Sequence, residues 1–149
     1  MQADKALELS FEIGHALHRA SQLTDDLFAA AMEGVDITAR QLTVLEIISQ
    51  SQGPSQMVIC ELAGIDRSTI ADMVLRLIKK GYVAGERSRT DARRYELELT
   101  SEGRKIMELA RPIARRVEAQ VVSTVPADCI GPFRDGLNGI VNASRFNTL

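Results

Sequence analysis

Residues 55–99 read SQMVICELAGIDRSTIADMVLRLIKKGYVAGERSRTDARRYELEL, and the order of signals in this stretch decides the fold. Ser55 can cap a short helix through about Ala63 that buries Met57, Ile59 or Cys60, and Leu62. Gly64 ends it. Asp66 is a strong N-cap for the next helix, whose Ile70, Val74, Leu77 and Ile78 recur at i, i+4, i+7 and i+8. Lys79 and Lys80 sit where the helix dipole favours cations, and Gly81 terminates the helix. The period then changes to two. Tyr82-Val83-Ala84 is a strand candidate, and Tyr95, Leu97 and Leu99 alternate onto one face of a second strand. Residues 85–94 between them are polar and basic, the tip of a hairpin. Two short helices joined by a tight Gly turn and followed by a hairpin make a winged helix-turn-helix.

Working outward, residues 6–34 read as one long helix, with Leu9, Ile13, Leu17, Ala20, Leu23, Leu27 and Ala30 at steps of three and four and Gly34 as its stop. That much apolar surface exceeds what one small domain covers, so a partner chain is expected against it. Thr38 can cap a helix to about Ser51, carrying Leu42, Leu45 and Ile48 and broken by Gly53-Pro54. Thr100 caps another, with Ile106, Leu109, Ile113 and Val117 in period and a kink or break expected at Pro112. Pro126 and Gly131-Pro132 mark interruptions before a last helix from about Phe133 to Phe146, with Leu137, Ile140 and Val141 inward. The expected class is mainly α with a small β-hairpin wing. Residues 1–37 form a dimerisation helix, 38–100 the winged helix-turn-helix, and 101–149 further dimerisation helices.

The 149 residues suit one domain, and 45% of them are apolar, enough for a sizeable core. Two cysteines, Cys60 and Cys129, are too few for a disulfide framework. The first ten residues are polar and charged, and no apolar run approaches the ~20 residues of a membrane span. A soluble, cytoplasmic protein without membrane partners is expected. The net charge of −2 hides an asymmetry. Residues 66–94 hold eight basic and four acidic side chains, so that segment is +4 and the remainder −6. A basic module on an acidic body is the footprint of a nucleic-acid binder.

A helix fits the major groove, and its N-terminal side chains reach base edges. Here those are Arg67, Ser68, Thr69 and Asp72, with Arg76 one or two turns on to meet a phosphate. The hairpin tip carries Arg87, Arg89, Arg93 and Arg94 within eight residues, a density that calls for an anionic partner. A narrow minor groove attracts inserted arginine. Arg93 is expected to insert deepest, oriented by Asp91, with Arg87 and Arg89 on the DNA backbone. One head reads only a few base pairs; two copies roughly 34–36 Å apart would read an inverted repeat.

The stretch LTVLEIIS…ICELAGIDRSTIADMVLRLIKKGYVAGERSRTDARRYELELTSEG, within residues 42–103, resembles the multiple-antibiotic-resistance regulator (MarR) family. The most specific part is Gly81-Tyr82-Val83, then Arg87, Asp91-x-Arg93 and Leu99-Thr100-x-x-Gly103. The resemblance implies a homodimer with intertwined first and last helices. It implies a repressor whose grip on duplex DNA loosens when a small phenolic or related effector binds, and it makes Arg93 the minor-groove residue. Redox-sensing members place a reactive Cys near the start of the first helix; this chain has none before residue 60.

His15 and His18, at i, i+3, could ligate a metal but lack a clear third ligand, so no metal or other cofactor is expected. They could instead line an effector pocket, where Arg40 would pair with a ligand carboxylate. Cys60 reads as a packing thiol. No Gly-rich phosphate loop, HExxH or Cys/His motif points to an enzyme. Two alternatives share these features: a winged-helix module docking an acidic protein, and a metal- or thiol-gated sensor.

Overall fold

The computed structural model describes residues 9–87 and 95–143. Its elements in chain order are α1 (Glu12–Ala31), α2 (Ala39–Gln50), α3 (Gln56–Ala63), α4 (Arg67–Lys79), β1 (Val83–Arg87), β2 (Tyr95–Leu99), α5 (Ser101–Val122), a 3₁₀ turn (Ala127–Cys129) and α6 (Ile130–Ala143). The strands form one antiparallel hairpin, with Val83 opposite Leu99 and Arg87 opposite Tyr95. The protein is mainly helical with a two-stranded wing, the class read from the sequence.

The caps follow the local chemistry. Ser55, Asp66 and Thr100 each accept a backbone N–H three residues on, at the starts of α3, α4 and α5. Thr38 goes further: its hydroxyl accepts from Gln41 N while Gln41 Oε1 accepts from Thr38 N, a full capping box. α4 ends in a Schellman motif. Gly81 (φ +75) donates to Ile78 O and Tyr82 N to Leu77 O.

The core lies under the helix-turn-helix. Leu42, Val44, Leu45 and Ile48 of α2 pack with Ile59, Ile70, Met73, Val74 and Leu77 of α3 and α4. Val83, Leu97 and Leu99 from the hairpin and Met107 and Ala110 from α5 close it. The hairpin is seated by a tight junction. Thr100 Oγ1 donates to Gly81 O (2.6 Å), Thr100 N donates to Tyr82 O (3.1 Å), and a Cβ on Gly103 would stand 2.0 Å from the Tyr82 carbonyl oxygen. Gly81-Tyr82 and Thr100-x-x-Gly103, remote in sequence, are thus two halves of one joint.

Several expectations need correction. Helix α1 begins at Glu12; residues 9–11 are not helical. The Phe11 ring folds over Gly14, occupying the space a Cβ there would need. Met57 (67% exposed) and Leu62 (59%) are not buried. Around α3, Met57 lies about 140° to one side of the centre of the Ile59–Ala63 seam and Leu62 about 80° to the other. Ile78 and Leu109 are also exposed, because Met73 and Leu77, and Met107 and Ala110, take the inward positions. Strand β1 continues to Arg87, so Gly85–Arg87 is ladder rather than loop; the Tyr95 ring fills the space where Gly85 has no side chain. Helix α5 runs unbroken through Pro112, which faces solvent. Helix α6 starts at Ile130, with Pro132 in its first turn, where the missing N–H costs no helical bond. Ile140 and Val141 are exposed rather than inward. Residues 6–8 and Phe146 lie outside the described residues.

Candidate nucleic-acid interface

The α3–turn–α4 unit projects the start of α4 away from the core. Gly64 takes the left-handed conformation (φ 65) and donates to Cys60 O at 2.9 Å, which reverses the chain within two residues of Asp66. Arg67 and Ser68 are exposed and Thr69 is half-buried.

Asp66 organises this end. Its carboxylate accepts from Ser68 Oγ (2.6 Å), Thr69 N (2.9 Å) and Thr69 Oγ1 (2.5 Å). Hydrogen bonds from the Ser68 and Thr69 hydroxyls, then from the Thr69 amide, hold its pKa well below the usual carboxylate range. The cap therefore stays ionised through ordinary pH. Its contribution is complete above the unfolded carboxylate value and fades only as pH falls toward the depressed folded value.

One turn on, Asp72 Oδ2 accepts from Arg76 Nε at 2.8 Å in an exposed i, i+4 pair. Arg67 lines a cleft of about 680 Å³ with Met57, Val58, Glu61 and Tyr95, between α3, the start of α4 and β2. Arg87 is the last residue of β1 and is exposed. Arg89, Asp91 and Arg93 lie outside the described residues.

The far end of α4 is also tied. Lys80 Nζ donates to Asp36 O (2.7 Å) and Gln41 Oε1 (3.2 Å) and pairs with Asp36 Oδ1 at 2.9 Å. Gln41, 5% exposed, therefore serves both the Thr38 cap and Lys80. The pattern Thr38-x-x-Gln41 was the available signal for the capping box. Nothing in the sequence pairs Lys80 with the 36–41 elbow. Arg111 of α5 adds a second tie, to Glu46 of α2 (3.1 Å).

The residues read as an effector pocket fall in two places. His15 and His18, both exposed, line a shallow hollow of about 300 Å³ with Leu9, Ser10 and Phe11. Arg40 lines a cleft of about 320 Å³ with Asp25, Asp26, Phe28, Ala29, Ile37, Thr38 and Ala39, between α1 and α2. The structure does not bring the histidines and Arg40 into one cavity. Among the described residues no cluster of three or more His, Cys, Asp or Glu is arranged to hold a metal. Cys60 is a half-buried free thiol and Cys129 an exposed one.

Residues 35–94 match the family model described as MarR family. The transcriptional regulator HosA of Escherichia coli O157:H7 is 32% identical over 93 residues, covering 62% of this chain and 69% of that protein. The HTH-type transcriptional repressor Rv2887 of Mycobacterium tuberculosis is 24% identical over 115 residues, 77% of this chain and 83% of that protein. Among solved structures, the PcaV transcriptional regulator of Streptomyces coelicolor in complex with its natural ligand is 29% identical, with a TM-score of 0.82 and coverage of 97% of this chain and 99% of that one. A cysteine-to-serine mutant of E. coli MarR complexed with operator DNA shares the fold at 24% identity, with a TM-score of 0.79 and coverage of 90% and 99%. The chain belongs to the MarR family of winged-helix, DNA-binding transcriptional regulators. Its relatives are regulators, not enzymes. No described helix is long and apolar enough to cross a membrane.

Proposed function

We propose that two copies of this chain bind one inverted-repeat duplex as a repressor. Each lays the start of α4 in the major groove, with Arg67, Ser68, Thr69 and Asp72 toward the bases and Arg76 toward a phosphate. The wing brings Arg87, Arg89 and Arg93, with Asp91 orienting Arg93, to the adjacent minor groove. The observation that carries this reading is the exposed, capped start of α4 beside the Arg87 end of the hairpin, in a chain of this family. A groove-reading helix must expose one edge while the other is held: Arg67, Ser68, Asp72 and Arg76 are exposed, and Ile70, Met73, Val74 and Leu77 anchor the opposite face.

Residues 1–37 and 101–149 are the dimerising parts around a reading head at 38–100. Supporting this, α6 has no buried residue, and Ile13, Leu23, Leu109, Phe133, Ile140 and Val141 are exposed in the single chain. A small aromatic acid relieves the binding. Its site is the α1–α2 cleft, which offers Phe28 and Ile37 as apolar walls and the Arg40 guanidinium for a carboxylate. PcaV was solved with a natural ligand, which supports ligand control of this fold.

The test is fluorescence anisotropy on an inverted-repeat duplex taken from upstream of the chain's own gene, across a salt series. Affinity should fall steeply with salt through counterion release. Arg93→Ala should weaken binding by about 1–3 kcal/mol without changing the oligomeric state. Salt-independent binding, or wild-type affinity in that variant, would refute the reading.

A further inference from the structure

The outward edge of α4 carries a defined hydrogen-bond polarity. A serine or threonine hydroxyl has one proton and two acceptor lone pairs. Asp66, ionised, only accepts, so the short contacts from Ser68 Oγ and Thr69 Oγ1 commit both hydroxyl protons to it. What these oxygens show outward is lone pairs. Asp72 lies four residues after Ser68, on the same helix face, and is a second, independent acceptor. It is 57% exposed and is held by Arg76, whose charge offsets its repulsion from nearby phosphates. Residues 68, 69 and 72 thus form a run of acceptors.

In the major groove only adenine N6 and cytosine N4 donate; guanine presents N7 and O6, and thymine O4, as acceptors. We propose that Ser68, Thr69 and Asp72 of α4 read base amines, so that the base edges facing these three in the operator half-site belong to adenine or cytosine. Asp66 is the positioning residue, setting which way the two hydroxyls point their protons. This rests on the DNA-binding reading above and adds the chemical class of edge it recognises.

The experiment starts with duplexes selected from a randomised inverted-repeat library by the full-length protein. Each selected adenine facing α4 is then replaced by 2-aminopurine, which still pairs with thymine but carries its amine in the minor groove. Each selected cytosine is replaced by the pyrimidin-2-one nucleoside, which lacks the amine. Binding should weaken about tenfold per contacted amine removed, with the salt slope unchanged. Asp66→Asn keeps an equally good N-cap but lets its amide donate to one hydroxyl, freeing that proton. The penalty at one position should then shrink below about twofold, and selection there should move toward thymine or guanine. Ser68→Ala, which leaves the Asp66–Thr69 cap in place, should erase the penalty at one position.

Selection of guanine or thymine by the wild type at these positions would overturn the inference. So would analogues that bind as well as the natural bases. Salt-dependent binding without any amine effect sinks this inference alone. Absence of salt-dependent binding to any duplex sinks the DNA-binding reading, and this inference with it.

Discussion

Between Ile37 and Leu99 most apolar side chains pack over one another, with Met57, Leu62, Leu75 and Tyr95 left exposed. Val44, Leu45, Ile59, Ile70 and Leu77 are fully buried there. Helices α1 and α6 behave otherwise. Helix α1 buries only Phe28, α6 buries nothing, and Phe133, Ile140 and Val141 stand 48%, 53% and 59% exposed. The central segment buries its apolar side chains together with Phe28 and Met32 before it and Met107 and Ala110 of α5 after it, whereas α6 and most of α1 leave theirs open. The contrast teaches that two thermodynamic rules operate in one molecule. The head's order depends on internal packing. That of the terminal helices should depend on protein concentration, since association and stability are linked.

Three measurements can break or sharpen that contrast. The largest effect should come from Gly103→Val, whose new carbon collides with the Tyr82 backbone where no flexible side chain can yield. Urea denaturation should show a loss of about 3 kcal/mol or more, the upper range for overpacking. Near-wild-type stability would mean the joint between hairpin and α5 is softer than its geometry. Next, Phe133→Asp should cost about 2 kcal/mol or more of association, as for an interface anchor, while the helical circular dichroism of the head persists. Analytical ultracentrifugation checks it, and an unchanged sedimentation coefficient would move the interface off α6. The smallest effect should be Gln41→Ala, which leaves Lys80 and the Thr38 amide without their shared acceptor. A loss of about 1–1.5 kcal/mol is expected, because Lys80 keeps its Asp36 partners. Thermal unfolding that shifts the head without shifting dimer dissociation would place Gln41 wholly in the head.

Much of the head was legible because its signals are local. Asp66, Gly81 and Thr100 each act within a few residues, so caps and stops read directly from the chain. The outer bounds were less legible because they answer to neighbours. Phe11 lies on Gly14 at the start of α1, and Pro132 sits harmlessly in a first turn, facts that periodicity does not carry. Met57 and Leu62 misled for a related reason: an eight-residue helix shows too few turns to separate its inner face from its outer one. At the site, residue types were readable but their present engagements were not. Ser68 and Thr69 stand where a reading helix wants them, yet only coordinates reveal that their protons are already given to Asp66.

The tie at Lys80 has a mechanical consequence. Helix α4 is anchored at its rear to the elbow before α2 by a main-chain oxygen, a carboxylate and an amide at once. Its 13 residues make a rod about 20 Å long, so a tilt of about 5° at the rear displaces the front by about 2 Å. That travel exceeds the stretch of under about 1 Å that separates a formed hydrogen bond from a broken one. Lys80 is thus a tiller post, and the elbow at residues 36–41 is the hand that holds it.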